Sequence, residues 1–109
     1  MAAMAPARPE RHLRRQLKRI AHHLDAVVLV GEPGVTEAVV AETRRALDDH
    51  ELIKVRVHAA DREAREAMTR ALANACGAEV IQSIGKVAVL FRRNPEPNHK
   101  LSNLARFGG

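Results

Sequence analysis

Leu13, Leu17, Ile20 and Leu24 recur at helical spacing. On a wheel of about 100° per residue they fall within an arc of roughly 60°. Arg11, Arg14, Arg15, Lys18, Arg19 and His22 fall on the opposite side. The pattern predicts a helix from about Glu10 to His23 that docks by one apolar stripe and turns a cationic face to water. Ala26–Val30 is a continuous apolar run of β-favouring residues and predicts a buried strand. Gly31-Glu-Pro-Gly34 breaks it. A second helix is expected over about Thr36 to Asp49, with Thr36 as N-cap, Glu37 at the positive end of the dipole, and Val39, Val40, Ala46 and Leu47 on the buried face.

From Leu52 to His58 the period changes to two: Ile53, Val55 and Val57 point one way, Lys54, Arg56 and His58 the other. Asp61 caps a third helix carrying Ala64, Ala67, Met68, Ala71, Leu72 and Ala75, which Gly77 ends as a left-handed residue. Two further strands, about Glu79 to Ile84 and Val87 to Phe91, meet at a tight turn around Gly85-Lys86. Asn94-Pro-Glu-Pro-Asn98 cannot continue a strand. Residues 94–109 read as a flexible basic tail and Met1–Pro9 as a disordered lead-in. The order is helix, strand, helix, strand, helix, strand, strand. Right-handed crossovers make the first strands parallel neighbours, and the last two form a hairpin. The fold class expected is a two-layer α/β domain with a four-stranded mixed sheet and three helices.

Composition narrows the function classes. The 109 residues suit one domain, and 46% hydrophobic content suits a folded one. The one cysteine, Cys76, can form no internal disulfide, which points to a reducing compartment. Met1–Pro9 lacks the apolar stretch of a signal peptide, and Ala26–Val30 is too short to span a bilayer, so a cytoplasmic location and no membrane partner are expected. Net charge is +5, unevenly placed: Met1–Leu24 carries six Lys/Arg against one acid, Arg92–Gly109 four against one, and the middle eight against eleven. Basic ends on a slightly acidic domain fit a polyanion partner; solubilising ends are the plainer alternative.

Nothing resembles a catalytic constellation. Gly31-x-x-Gly34 lacks the Gly-Lys-Ser/Thr of a phosphate-binding loop and the third glycine of a dinucleotide fingerprint. Ser83 and Ser102 lie in no nucleophile elbow, and no Cys/His spacing fits zinc. No enzyme activity, cofactor, metal or small-molecule substrate is expected. The glycine loop does join a strand to a helix N-terminus, where free N–H groups and the dipole attract phosphate. Tight strand–helix turns use glycine for purely steric reasons too. The chain has no Trp or Tyr and only two Phe, so base stacking on aromatics is not available and structured RNA is the more natural target.

Several stretches together resemble the small bacterial YhbY-type proteins, stand-alone members of the chloroplast RNA splicing and ribosome maturation (CRM) domain family. They are Leu17-Lys-x-x-Ala21-His22, Val27-Val-Leu-Val-Gly31, Gly34-Val-Thr-Glu37, His50-Glu-Leu-Ile-Lys-Val55, Asp61-Arg-Glu63, and Ile84-Gly-Lys86 with Val89-Leu-Phe-Arg92. They run in order from about residue 11 to residue 93. The resemblance implies a domain over 10–93 with a fold like the C-terminal domain of translation initiation factor three and sheet order 1-2-4-3. It implies a Gly-x-x-Gly loop used like that of KH domains, at Gly31 and Gly34, with Lys86 at the basic position after the hairpin glycine. It also implies association with rRNA in precursors of the large ribosomal subunit. The middle loop positions, often basic or small and polar in that family, are here Glu32 and Pro33; the first repels phosphate and the second lacks a donor. The expected RNA-binding set is Arg11, Arg14, Arg15, Lys18, Arg19, Gly31, Glu32, Pro33 and Gly34, with Lys54, Arg56, Lys86, Arg92 and Arg93 as secondary contacts. The competing class is a protein-interaction adaptor whose basic helix docks an acidic partner.

Overall fold

A computed structural model describes residues 10–107. The expected lead-in and the last two glycines lie outside the described residues. The elements are α1 (Arg11–Ala21), β1 (Ala26–Val30), α2 (Glu37–His50), β2 (Leu52–Val57), α3 (Arg62–Cys76), β3 (Glu79–Ile84), β4 (Val87–Phe91) and α4 (Asn103–Phe107). The starts of α2 and α3 and the end of α3 have local causes. Thr36 Oγ1 accepts from the Val39 N–H at 3.2 Å, and Asp61 Oδ1 accepts from the Ala64 N–H at 2.7 Å. Gly77 closes α3 at φ 66°.

The sheet order is β1-β2-β4-β3, with β1 parallel to β2 and the other pairs antiparallel. This is the sheet, order and direction expected. Ile53, Val55 and Val57 bury one face against α2 and α3, together with Val28, Val30, Leu47, Leu72 and Leu90. Thr43, unnoticed as a core position, is fully buried because its hydroxyl donates to the Val39 carbonyl within its own helix.

The helices lie on both faces of the sheet. Leu52, Ile81, Val89 and Phe91 point away from the first core and bury Leu17, Ile20 and Ala21 of α1. The two-layer expectation thus describes the α2–α3 side, and α1 adds partial cover on the other. α1 leaves the outer face of β1 uncovered: Val27 and Leu29 stay exposed while Val28 and Val30 are buried. The expectation of a fully buried β1 is corrected: it is an edge strand, covered on one face.

The expectation of a flexible tail is also corrected over 94–107. Ser102 and Asn103 are buried, Asn103 Nδ2 donates to the Leu52 carbonyl at 2.7 Å, and Leu104 of the additional short helix α4 packs into the α1 cluster. The anchor is Glu51, a buried residue whose carboxylate accepts from Ser102 Oγ at 2.7 Å and from the Asn94 N–H at 2.8 Å. β4 ends at Phe91, before the prolines, and Asn94 is held back onto the domain by the Glu51 carboxylate and the Asp48 carbonyl.

Candidate nucleic-acid interface

α1 presents Arg11, Arg15, Lys18 and Arg19 to solvent, with His22 just beyond its end. Arg14 departs from this stripe. It sits at the edge of the helix nearest β3, is half-buried, and its Nη2 donates to the Val80 carbonyl at 2.9 Å. One of the five expected phosphate ligands therefore fastens α1 to the sheet.

The loop after β1 is a tight turn in which the Gly34 N–H donates to the Gly31 carbonyl at 3.0 Å. Gly34 has φ +80°, a conformation L side chains rarely adopt. Gly31 has no such constraint; a Cβ there would meet only Pro33 Cδ, at 3.7 Å. Glu32 and Pro33 are exposed at the tip. Thr36 then begins α2, so the first turn of a 14-residue helix aims its N–H groups toward the loop.

The topology gathers other segments beside this loop. The His58 N–H donates to the Val30 carbonyl at 2.8 Å, and the Val57 N–H to the Lys86 carbonyl at 2.7 Å. The glycine loop, the β2–α3 connection and the Gly85-Lys86 hairpin thus share one end of the sheet, and Lys86 is exposed there. Two cations that sequence reasoning passed over belong to this rim. Arg62 and Arg65, on the first turn of α3, line a depression with Glu66, Ser83 and Gly85. Arg62 pairs with Glu66 at 3.1 Å on the surface, a pairing of little energetic weight. Arg65 Nε is buried without a hydrogen-bond partner. The signal was the run Asp61-Arg-Glu63 together with the crossover, which returns α3 to the loop end of the sheet.

Lys54 and Arg56 lie on the face that α1 partly covers. Arg56 stands in register with Leu29 on one side and Val87 on the other. Lys54 borders α1 near Ala21 and His22. Both therefore face the cationic-helix side.

Arg92 and Arg93 follow the far end of β4, opposite the loop. Arg92 is engaged internally: Nη1 donates to the Cys76 carbonyl at 2.9 Å, and Nη2 meets the Arg44 carbonyl and the Asp48 carboxylate. It neutralises the C-terminal end of α3. Arg93 is exposed, its guanidinium 5.9 Å from the Phe91 ring centre. The structure thus places the expected residues in three groups: the α1 stripe, the rim with its adjoining sheet face, and a distant pair of which one is structural.

Among the described residues no group of His, Cys, Asp and Glu could hold a metal ion, and no helix is long and apolar enough to cross a membrane. Cys76 is buried beside α2, and burial raises its thiol pKa despite the nearby Arg44 and Arg92. That is the setting of a core residue, not of a nucleophile.

The family model described as the CRS1 / YhbY (CRM) domain matches residues 10–92. A Pseudomonas aeruginosa protein named as a probable RNA-binding protein is 49% identical over 96 residues, spanning 88% of this chain and 92% of its own. An RNA-binding protein of Haemophilus influenzae is 45% identical over 85 residues, spanning 78% and 86%. The solution structure of a Staphylococcus aureus protein, described as a candidate RNA-binding protein, superposes with a TM-score of 0.69 at 29% identity, over 76% of this chain and 86% of the other.

Proposed function

The chain belongs to the CRS1 / YhbY (CRM) domain family, and from that premise we propose that it is a non-catalytic RNA-binding protein that recognises structured RNA. The observation that carries this reading is the α1 stripe: Arg11, Arg15, Lys18 and Arg19 are exposed on a helix with no acidic residue in its first turn. Such a face pays a self-repulsion that a phosphate backbone relieves. The rim supplies further positive groups in Lys86, Arg62 and Arg65. Gly34, buried at φ +80°, lets the chain turn into α2 and leaves Glu32 and Pro33 exposed at the loop tip, where a strand of phosphates can approach the start of α2.

We further propose that the RNA is rRNA of the large-subunit precursor, that the protein acts as a ribosome-assembly factor, and that it works in the cytoplasm. The relatives' names support RNA; the assembly role rests on the family resemblance.

Two measurements test this. Purified protein titrated into a structured RNA should bind with an affinity that falls steeply with salt. Crosslinking in cells followed by sequencing should return large-subunit rRNA. Salt-independent or absent binding would remove the first proposal, and crosslinks elsewhere the second.

A further inference from the structure

We propose that the uncovered half of the sheet's second face is a binding surface for unpaired RNA bases, lying between α1 and the glycine loop. This rests on the RNA-binding reading above and adds to it a place where bases, not phosphates, are held.

The strand register aligns Leu29, Arg56, Val87 and Ile84 into one row, one residue from each strand across the sheet. Leu29 is 60% exposed, Ile84 66%, and Val27, further back along β1, 49%. The other exposed large apolar residues among those described, Leu101 and Phe107 near the C-terminus, are less exposed than these three. The neighbouring positions that α1 does cover, Ile81, Val89 and Phe91, are buried. The bare region therefore begins where α1 ends, and there Ala21 and His22 border a depression with Lys54, Gln82 and Val87. With strands about 4.8 Å apart, the row is about 14 Å long, enough for about two bases side by side.

An uncovered sheet face with exposed apolar side chains on both edges and one exposed arginine between them marks a contact site. Its charges select the occupant. A second copy of the chain would bring Arg56 and Lys54 against cations of the same patch. Neither this row nor the adjacent one, Lys54, Val89 and Gln82, holds a carboxylate. A strand of RNA meets both features. Its bases can stack on the Arg56 guanidinium and lie against Leu29, Val87 and Ile84, while its phosphates reach Lys54, Lys86 and the α1 stripe. Arginine and branched aliphatics here take the place of the aromatic platforms the chain lacks.

The test uses the full chain and two RNAs, a blunt hairpin and the same hairpin bearing an unpaired extension of about four nucleotides. In anisotropy titrations at fixed salt, the wild type should bind the extended RNA roughly three- to tenfold more tightly. Leu29→Ser combined with Ile84→Ser should abolish that preference while keeping hairpin affinity and its salt slope, since no cation is removed. Arg56→Ala should reduce the preference independently, which guards against a folding defect in the double variant; thermal melts check both. A wild type without preference, or a double variant that keeps it, overturns the proposal and leaves the RNA-binding reading intact. Failure of the wild type to bind either RNA overturns that reading itself. A double variant with unchanged RNA binding that loses a copurifying acidic protein would overturn the proposal and assign the face to protein docking.

Discussion

Ser102 Oγ donates to Glu51 Oε1 at 2.7 Å, joining positions 51 residues apart in the chain. Glu51 also accepts from the Asn94 N–H through Oε2, and its own carbonyl accepts from the Arg92 N–H. One buried carboxylate therefore ties both the start and the middle of the segment after β4 to the domain, beside the Asn103–Leu52 bond and the packing of Leu104. It does so from a strained backbone, at φ 63°.

Replacing Glu51 tests this latch. Glu51→Ala leaves the buried Ser102 hydroxyl and the half-buried Asn94 N–H without their acceptor, and should cost about 1–3 kcal/mol in urea unfolding. Limited proteolysis should cut sooner within 94–107. Glu51→Gly loses the same bonds but relieves the positive φ, so it should be more stable than the alanine variant by about 1 kcal/mol. Equal stability of the two would show that the backbone strain is negligible.

The α1 stripe and Arg14 should separate experimentally. Changing Arg15, Lys18 and Arg19 together to Ala should weaken RNA binding and flatten the salt slope by roughly two to three units, with little change in melting temperature. Arg14→Ala should instead lower thermal stability, because the Val80 carbonyl loses its guanidinium. A triple variant with wild-type slope would remove α1 from the interface.

Glu32 is the residue least suited to a phosphate-facing loop. If the loop approaches RNA, Glu32→Lys adds a cation at the tip, and affinity should rise several-fold with a steeper salt dependence. If the loop has no such role, affinity should stay level while the melting temperature falls slightly, since a cation then faces the positive end of α2. The first outcome is expected. A stability loss without an affinity gain would count against it.

Arg92→Ala should behave as a stability variant. It leaves the Cys76 carbonyl without its guanidinium donor, while the exposed Asp48 carboxylate returns to water, at a cost of about 1 kcal/mol in denaturant unfolding. RNA affinity and salt slope should remain at wild-type values. A reduced slope would return Arg92 to the binding surface.

Most of the sheet was legible in the sequence because its signals are local. Period-two alternation in β2, the apolar run of β1, and the Thr36, Asp61 and Gly77 caps all act within a few residues. What escaped was decided at a distance. The exposure of Leu29 depends on where α1 stops, and nothing in Ala26–Val30 encodes that. The docking of 94–107 involves Glu51, whose burial depends on Ser102 and Asn94 far along the chain and on no local signal. Arg14 and Arg92 look like their neighbours until Val80 and Cys76 supply the carbonyls they satisfy. The rim residues Arg62 and Arg65 needed the crossover geometry to be seen beside the hairpin.

The partners of α1 set a schedule for biosynthesis. Leu17 and Ile20 are made early, but Ile81, Val89, Phe91 and Leu104, the surfaces they bury against, come near the end of translation. At typical elongation rates the interval from Ile20 to Phe91 is roughly 4–14 s. Through that time the cationic helix has no sheet to rest on, and its leucines stand open beside the translating ribosome. A truncated chain ending before β3 should therefore leave residues 11–21 open to protease, because Ile81, Val89, Phe91 and Leu104 are all missing from it.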